Sequence, residues 1–186
     1  MTKIVGMIFG EVGYNDFNFL VGRNSSLQKG AYVKVNHERY GWILAQVTSI
    51  KRYNEMYSLN VMTGSTVPKE EASERVVASA KVIGYLDGTG FLKTPKIPFK
   101  PGEKVYEAEA GMIRKSLNLG ARSGVYLGLL EGHDEAAQVY LNVNKLVQKH
   151  ICVLAKTGAG KSYTVGVLVE ELIEKGVPVV IIDPHG

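Results

Sequence analysis

Residues 156–162 read Lys-Thr-Gly-Ala-Gly-Lys-Ser and lie between a short apolar run and a stretch with helical periodicity. They match the pattern G-x-x-x-x-G-K-[ST] of a phosphate-binding loop, except that the first position is Ala155. In such a loop, glycines allow backbone N–H groups to face phosphate oxygens, and the positive end of the following helix dipole faces the same anion. Alanine at 155 only requires that the backbone there avoid positive φ. The segment therefore predicts a nucleotide-binding strand–loop–helix unit.

The motif assigns roles to individual residues. Lys161 is expected to reach the β- and γ-phosphates, and Ser162 to hold Mg²⁺ through its hydroxyl. ATP and Mg²⁺ are the expected cofactors. The alternative is a glycine-rich turn that precedes a lysine by chance. The predicted nucleotide-binding residues are Lys156, Thr157, Gly158, Ala159, Gly160, Lys161, Ser162 and Tyr163.

The flanking segments favour the phosphate loop over the chance turn. Residues 150–154 form an apolar run typical of a buried parallel strand, and residues 177–182 form a second one. Gly176 and Pro178 are expected to end the intervening helix. Together these segments predict one right-handed βαβ unit. The helix is predicted to be amphipathic, with an apolar face of Val165, Leu168, Val169, Leu172 and Ile173 and a polar face of Glu170, Glu171 and Glu174.

Only two strands of the nucleotide-binding sheet can be placed before Gly186. Doubly wound and related ATPase sheets need several more βα units to cover both faces. The sequence also offers no second acidic strand end for a Walker B carboxylate, no water-positioning residue and no arginine finger. We therefore expect a fragment of a larger protein, with weak or absent hydrolysis by these 186 residues alone.

The first hundred residues consist of short runs rich in Val, Ile and Tyr that glycines interrupt at nearly regular intervals. A small antiparallel barrel of five or six strands is the economical fold for this pattern, because closure removes exposed sheet edges. Residues 70–74 give the only hint of a helix. The predicted strands are Ile4–Phe9, Asn18–Val21, Ala31–Val35, Trp42–Arg52 and Val76–Tyr85, and the predicted turns or bulges are at Gly10, Gly13, Gly22, Gly30, Gly41 and Gly64.

Residues 91–102 contain three prolines and three lysines and predict an extended connector between two domains. We accordingly place a barrel in residues 1–100 and the beginning of an ATPase domain in residues 101–186. Residues 125–130 and 138–143 predict an antiparallel hairpin. The sequence His133-Asp134-Glu135 at its tip is interpreted as turn chemistry.

One basic and aromatic stretch has two interpretations. Tyr53 and Tyr57 lie near Lys51 and Arg52, and could form a nucleic-acid patch in which aromatic side chains alternate with cations. The favoured interpretation is a solvated loop.

Composition limits which classes of protein and which kinds of site remain. The net charge of +4 is compatible with an acidic partner such as nucleic acid but does not require one. A single cysteine, Cys152, excludes an internal disulfide framework, and the four histidines lack zinc-site spacing and are expected at the surface or at strand ends. The apolar N-terminus is interrupted by Glu11 and is too short to span a bilayer. A cytoplasmic protein without a membrane segment is expected.

Taken together, a small N-terminal barrel, the sequence Leu-Ala-Lys-Thr-Gly-Ala-Gly-Lys-Ser-Tyr at 154–163 and Val-Val-Ile-Ile-Asp-Pro-His-Gly at 179–186 closely resemble the archaeal HerA family. Members of that family are hexameric DNA-translocating ATPases of the HerA–FtsK group. The barrel is similar to their HAS domain. The resemblance implies an antiparallel β-barrel followed by the incomplete start of an α/β, RecA-like P-loop ATPase domain.

The resemblance also implies site residues and partners. Lys161 and Asp183 would be the catalytic residues, although the acidic residue that normally continues the Asp-Pro-His-Gly motif is missing, so Asp183 would mainly orient its loop. The implied function is an ATP-dependent DNA translocase or helicase subunit that acts with a nuclease in DNA end resection for recombinational repair. The implied partners are a homohexamer, a NurA-like nuclease and double-stranded DNA.

Three alternatives remain open. The fragment could be a non-catalytic module for oligomerisation and nuclease docking. It could belong to a related FtsK-like or conjugative pump ATPase, although such pumps usually carry membrane segments or another N-terminal module. A small-molecule P-loop kinase has little support, because such kinases usually begin with the phosphate loop.

Overall fold

The computed structural model describes residues 3–23, 25–54, 74–130 and 138–183. The chain forms two compact units, Met1–Ser116 and Leu117–Gly186. The predictions at Gly64, at Tyr57, at residues 70–73, at the hairpin tip 133–135 and at residues 184–186 lie outside the described residues.

The first unit is an antiparallel β-barrel, as the glycine-interrupted pattern predicts. Six strands close in the order β2-β1-β7-β3-β4-β5, because β5 pairs back with β2, and the short β6 adds to β5. The five strands predicted from the sequence are all present. The strands are β1 (Ile4–Ile8), β2 (Asp16–Val21), β3 (Tyr32–His37), β4 (Gly41–Asn54), β5 (Glu74–Leu86), β6 (Leu92–Lys93) and β7 (Lys104–Glu107).

The barrel interior is filled by inward-facing residues of all six closing strands. In β2, for example, Phe17 and Phe19 are buried while Asp16 and Asn18 face outward. Closure also brings backbones close together. A Cβ at Gly6 would lie 2.2 Å from the carbonyl oxygen of Leu20, so only glycine fits there. The buried core consists of Val5, Ile8, Phe17, Phe19, Val33, Val35, Ile43, Ala45, Val47, Ala78, Ala80, Phe99 and Val105.

The irregular alternation in β4 has a structural cause. Its pairing with β5 shifts register between Leu44 and Ala45 and again between Val47 and Ser49. Such bulges bend a strand and increase its twist. The strand can therefore curve around the barrel, as its imperfect pattern predicts.

Residues 91–102 are part of the barrel unit and do not separate two domains. Phe99 is buried with its ring centroid 5.0 Å from that of Phe17, and Pro95 is fully buried. The next strand, β7, pairs with both β1 and β3. The boundary that the sequence predicts near residue 100 therefore lies inside the first unit, which ends with helix α1 (Ala110–Ser116).

The buried histidine of this unit has local hydrogen-bond partners. His37, at the end of β3, is buried and is not a surface residue. Its Nδ1 accepts a hydrogen bond from the backbone N–H of Arg39 at 3.1 Å, and its Nε2 lies 3.3 Å from the carbonyl oxygen of Pro98. These contacts are those of a structural histidine.

The second unit contains the predicted hairpin and the predicted helix. Strands β8 (Val125–Leu129) and β9 (Gln138–Leu141) pair antiparallel and are followed by helices α2 (Val143–Gln148) and α3 (Lys161–Glu174). The two apolar runs around α3 are not strands here, in contrast to the prediction. Leu154 is 88% exposed and Ile182 is 90% exposed. A strand requires a hydrogen-bonded neighbour, and neither run pairs with another strand among the described residues.

Helix α3 follows the sequence pattern in part. Leu168 is buried, but Val165 and Ile173 of the predicted apolar face are exposed. Glu171, predicted on the solvent face, instead accepts a hydrogen bond from the backbone N–H of Tyr126 in β8 at 2.7 Å. The helix therefore packs on the hairpin through a narrower face than predicted.

Helix α3 ends where the sequence indicates. Gly176 has φ 75°. Its N–H donates to the carbonyl oxygen of Ile173 at 2.9 Å, and the N–H of Val177 donates to the carbonyl oxygen of Leu172 at 3.0 Å. This is a Schellman motif, in which glycine adopts the left-handed conformation at low cost.

In the part of the chain that the structure describes, no helix is both long and apolar enough to cross a membrane.

Candidate nucleotide-binding site

The predicted phosphate loop forms a tight turn before α3. Gly158 has φ 79° and Gly160 has φ 83°, so both lie in the left-handed region that favours glycine. The backbone N–H of Ala159 bonds to the carbonyl oxygen of Lys156 at 3.1 Å and closes the turn. Ala155 does not have positive φ, so alanine fits at the position where the motif usually has glycine.

The N-terminus of α3 is open to an anion. Gly160 is the N-cap residue, and no side chain caps the helix. The first turn contains no acidic residue that would occupy or repel an anion there. The first N–H groups of a helix have no intrahelical acceptors, so at this end they are available to phosphate oxygens.

Thr164 fixes the beginning of the helix. Its backbone N–H and its hydroxyl both donate to the carbonyl oxygen of Gly160, at 2.9 and 3.1 Å. These bonds turn that carbonyl along the helix and away from the loop. They connect Gly160, the left-handed N-cap residue, to the first turn of the helix.

All eight predicted nucleotide-binding residues lie together in the turn and the first helical turn, and all are exposed. Lys161 and Ser162 are the first two residues of α3, so their side chains begin beside the open N–H groups. This arrangement can hold a phosphate by backbone donors and place one ammonium and one hydroxyl next to it.

The donor set also fits the way proteins hold Mg²⁺ with nucleotides. No group of three or more His, Cys, Asp or Glu side chains that could hold a metal occurs among the residues placed in the structure. Mg²⁺ usually keeps several waters and binds through substrate phosphates with one or two protein oxygens. The Ser162 hydroxyl is an oxygen of that kind.

Asp183, the other predicted catalytic residue, lies in a different segment. It is exposed and follows α3 at the end of the second apolar run. Its catalytic role stays a prediction.

The contact between Glu171 and Tyr126 was not foreseen. It joins α3 to β8 of the hairpin, which the helix contacts. Sequence spacing carries no signal for it, because the two residues are 45 positions apart and the acceptor meets a backbone N–H.

Two family models match the chain in the order that the fold shows. The model described as HAS barrel domain matches residues 5–88, and that described as Helicase HerA, central domain matches residues 125–186. The second of these matches makes the chain similar to the HerA family. The first match covers most of the closed barrel, and the second covers the hairpin, the phosphate loop and α3.

Similar proteins of known name agree with this family. A DNA double-strand break repair helicase HerA of Pyrococcus furiosus is 28% identical over 100% of this chain and 34% of its own length. A probable helicase of Methanocaldococcus jannaschii is 29% identical over 100% of this chain and 38% of its own length. A probable DNA double-strand break repair helicase HerA of the same organism is 37% identical over 61% of this chain and 22% of its own length. The chain thus spans between a fifth and two fifths of these relatives.

Proposed function

We propose that this chain is the barrel and nucleotide-binding part of an ATP-dependent DNA translocase or helicase that acts with a nuclease in DNA end resection. The observation that carries the proposal is the left-handed turn at Gly158 and Gly160, which leads into an uncapped helix N-terminus without acidic residues. The names of the relatives, which are DNA double-strand break repair helicases, supply the class of substrate.

In this proposal the residues of the loop bind ATP and Mg²⁺. The backbone N–H groups of Gly158, Gly160, Lys161 and Ser162 bind phosphate oxygens, and the Lys161 ammonium neutralises the β- and γ-phosphates. The Ser162 hydroxyl holds Mg²⁺. Bound ATP with Mg²⁺ supplies the phosphoanhydride bond whose hydrolysis drives translocation. Tyr163, which is 79% exposed, follows Ser162 in the first turn of α3.

Asp183 is proposed as the second catalytic residue. It follows the apolar run after α3, where a parallel strand of an ATPase sheet would end, and the carboxyl ends of such strands meet at one edge. A carboxylate there would orient the segment next to the phosphates.

Replacing Lys161 with alanine tests the nucleotide site. We expect Lys161→Ala to abolish binding of a fluorescent ATP analogue, because the ammonium is the only side-chain cation of the first helical turn. Lys175→Ala is the matched control, since it removes the same charge at the opposite end of α3 and should leave affinity unchanged. Equal affinity of Lys161→Ala and the native chain would disprove the assignment.

We also propose a homohexamer, a NurA-like nuclease and double-stranded DNA as partners. The barrel supports a separate role in assembly or docking, because its core draws only on residues of the first unit. Light scattering coupled to size-exclusion chromatography, with and without Mg²⁺-ATP, tests the hexamer. A hexamer without nucleotide would assign ring formation to these residues. A monomer in both conditions would contradict that assignment.

A further inference from the structure

Two groups of aromatic side chains on the barrel unit lie outside the nucleotide-binding loop. Residues 51–53 include Tyr53 and belong to strand β4, in contrast to the solvated loop that the sequence favours, and Arg52 there pairs with Glu74 at 3.1 Å. The second group surrounds Trp42 and lines a cleft of about 470 Å³. This volume lies within the range of about 300–1,000 Å³ that is usual for small-molecule sites.

The cleft lies between helix α1 and the barrel strands. Trp42 of β4 and residue Leu86 at the end of β5 line it from the barrel, and Gly111 and Met112 line it from α1. A Cβ built on Gly111 would meet no atom within 4 Å, so the cleft is open beside this glycine. We call this space the helix cleft.

The helix cleft is preformed, because other contacts hold α1 on the barrel. Glu109, directly before the helix, accepts hydrogen bonds from the buried Lys34 of β3 at 2.5 and 2.6 Å. Ile113 of the helix is buried, as is Leu44 of β4. The helix therefore does not need a ligand to keep its place.

An aromatic surface forms part of the wall. Trp42 is 42% exposed, although the Lys34 ammonium lies 4.2 Å from its ring centroid. Leu86 and Met112 add apolar surface next to it. A flat ring can pack against this wall by stacking or by an edge-to-face contact.

Three polar groups in the lining differ in kind. Ser116 is 4% exposed, and its hydroxyl, which can donate or accept, has no hydrogen-bond partner in the described part of the chain. The Glu109 carboxylate only accepts, and its oxygens retain free lone pairs beside their bonds to Lys34. Lys115 only donates, is exposed, and forms no ion pair among the residues that the structure describes.

These groups together describe the ligand. It has a flat ring for Trp42, a ring N–H for Glu109 and an anionic group for Lys115. A ring oxygen or nitrogen would supply the partner that the Ser116 hydroxyl lacks. A simple aromatic acid has no ring N–H, and an apolar protein side chain would leave the buried hydroxyl without a partner, which is costly. A nucleotide has all of these features.

We infer that the helix cleft binds a nucleotide, with its base against Trp42 and its phosphate on Lys115. The nucleotide has two possible sources, a free mononucleotide and an unpaired nucleotide of a DNA strand. The inference does not depend on the nucleotide-binding loop, because that loop belongs to the other unit.

Fluorescence of Trp42, the one tryptophan of the chain, tests the inference. The whole chain is titrated with each of the four deoxynucleoside 5′-monophosphates and with a single-stranded oligonucleotide of mixed sequence, with correction for absorption by the ligand. We expect a saturable change in emission. Tighter binding of the oligonucleotide would identify the strand as the source, and tighter binding of a monophosphate would identify the free nucleotide.

Variants of α1 separate the polar contacts. Lys115→Gln should weaken binding about ten-fold, because it removes a hydrogen bond between charged groups. Arg114→Gln is its matched control, since it removes the same charge from the adjacent residue, which does not line the cleft. Ser116→Ala should weaken binding about five-fold. It should not lower the melting temperature, because the hydroxyl has no partner to lose.

A steric variant blocks the cleft without touching the reporter. Gly111→Leu places a side chain in the open space and should abolish the fluorescence response. Gly111→Ala adds only one methyl group and should retain binding. Thermal unfolding checks that both variants are folded, which we expect because alanine and leucine are better helix formers than glycine.

Four results would overturn the inference. Absence of a saturable change with every nucleotide and with the oligonucleotide would exclude binding next to Trp42. An unchanged response in Gly111→Leu would place the ligand elsewhere. Equal weakening by Lys115→Gln and Arg114→Gln would indicate unspecific attraction. Equally effective competition by indole, unaffected by Lys115→Gln and Ser116→Ala, would assign the cleft to an apolar side chain of a partner protein.

One further variant separates this inference from the proposed function. Lys161→Ala should give the same Trp42 response as the native chain, because its substitution lies in the other unit. If Lys161→Ala retained ATP affinity while Gly111→Leu lost the response, the loop assignment would fail and the cleft would stand. Loss of ATP affinity in Lys161→Ala with an unchanged response in Gly111→Leu would give the opposite result.

Discussion

At the scale of single residues, the phosphate loop requires Gly158 and Gly160 because of their backbone conformation and not because a side chain would clash. A Cβ built on either would meet no atom within 4 Å, yet both have φ near 80°. The left-handed conformation costs an L-residue about 1–2 kcal/mol. The loop geometry therefore depends on glycine even though its surroundings are open.

Gly160→Ala should destabilise the second unit by about 1 kcal/mol and weaken binding of a fluorescent ATP analogue. Gly166→Ala, inside the same helix and also in open space, should stabilise that unit by about 0.5–1 kcal/mol, because alanine is the better helix former. Thermal unfolding of the two variants checks the prediction. A shift of both melting temperatures in the same direction would contradict it.

Lys34 and Glu109 form an ion pair in the barrel unit in which the lysine is buried. The buried Lys34 ammonium donates to both carboxylate oxygens of Glu109, at 2.5 and 2.6 Å, and lies 4.2 Å from the ring centroid of Trp42. The hydrogen bond from Lys34 holds the pKa of Glu109 below its ordinary value of 4.5. A lowered folded-state pKa adds stability above the unfolded pKa, and that stability is lost as the pH falls through the folded pKa.

Glu109→Gln should therefore lower the stability of the barrel at neutral pH, and native and variant should converge as the pH falls below 4.5 and Glu109 becomes protonated. The expected cost at neutral pH is about 1 kcal/mol, because Glu109 is half exposed and solvent weakens the pair. Fluorescence of Trp42, the one tryptophan of the chain, follows unfolding by denaturant at each pH. A difference in stability that does not depend on pH would refute this account.

At the scale of elements, α3 contacts strand β8 of the hairpin and accepts a hydrogen bond from it through Glu171. Glu171→Ala should destabilise the second unit by about 1–2 kcal/mol, because it removes the acceptor of the Tyr126 N–H. Glu170→Ala, an exposed neighbour, should change stability by less than about 0.5 kcal/mol. Hydrogen exchange of the Tyr126 amide provides the direct readout. Equal protection of that amide in both variants would show that the contact does not secure the helix.

The elements differ in how well the sequence predicts them. The reason is how far apart along the chain the residues that determine each element lie. The glycines of the phosphate loop and the stop at Gly176 act through local backbone geometry, so their positions follow from the sequence. Strand β7, by contrast, has only four residues, with a charged side chain at each end, and only its pairing with β1 and β3 defines it. The apolar runs before and after α3 have the composition of strands, but composition does not provide a neighbour.

At the scale of the whole molecule, the position of β7 decides where the first unit can be separated from the second. The closed barrel requires β7 between β1 and β3, and Val105 of this strand is fully buried in the core. A chain that ends near residue 100, where composition places the boundary, would leave the edges of β1 and β3 without a partner. Unpaired edges expose N–H and C=O groups and invite aggregation.

The fragment 1–116 should therefore fold independently, whereas the fragment 1–100 should not. We expect a single cooperative thermal transition for 1–116 by circular dichroism and by Trp42 fluorescence, because its core contains no residue from the second unit. For 1–100 we expect a broad transition and association in light scattering, since it lacks β7 and the buried Val105. The single variant Val105→Ala in 1–116 keeps the strand and removes only part of the core, so it should unfold cooperatively at a lower temperature. If 1–100 unfolded as cooperatively as 1–116, the barrel would not need β7 for closure, and the boundary near residue 100 would be restored.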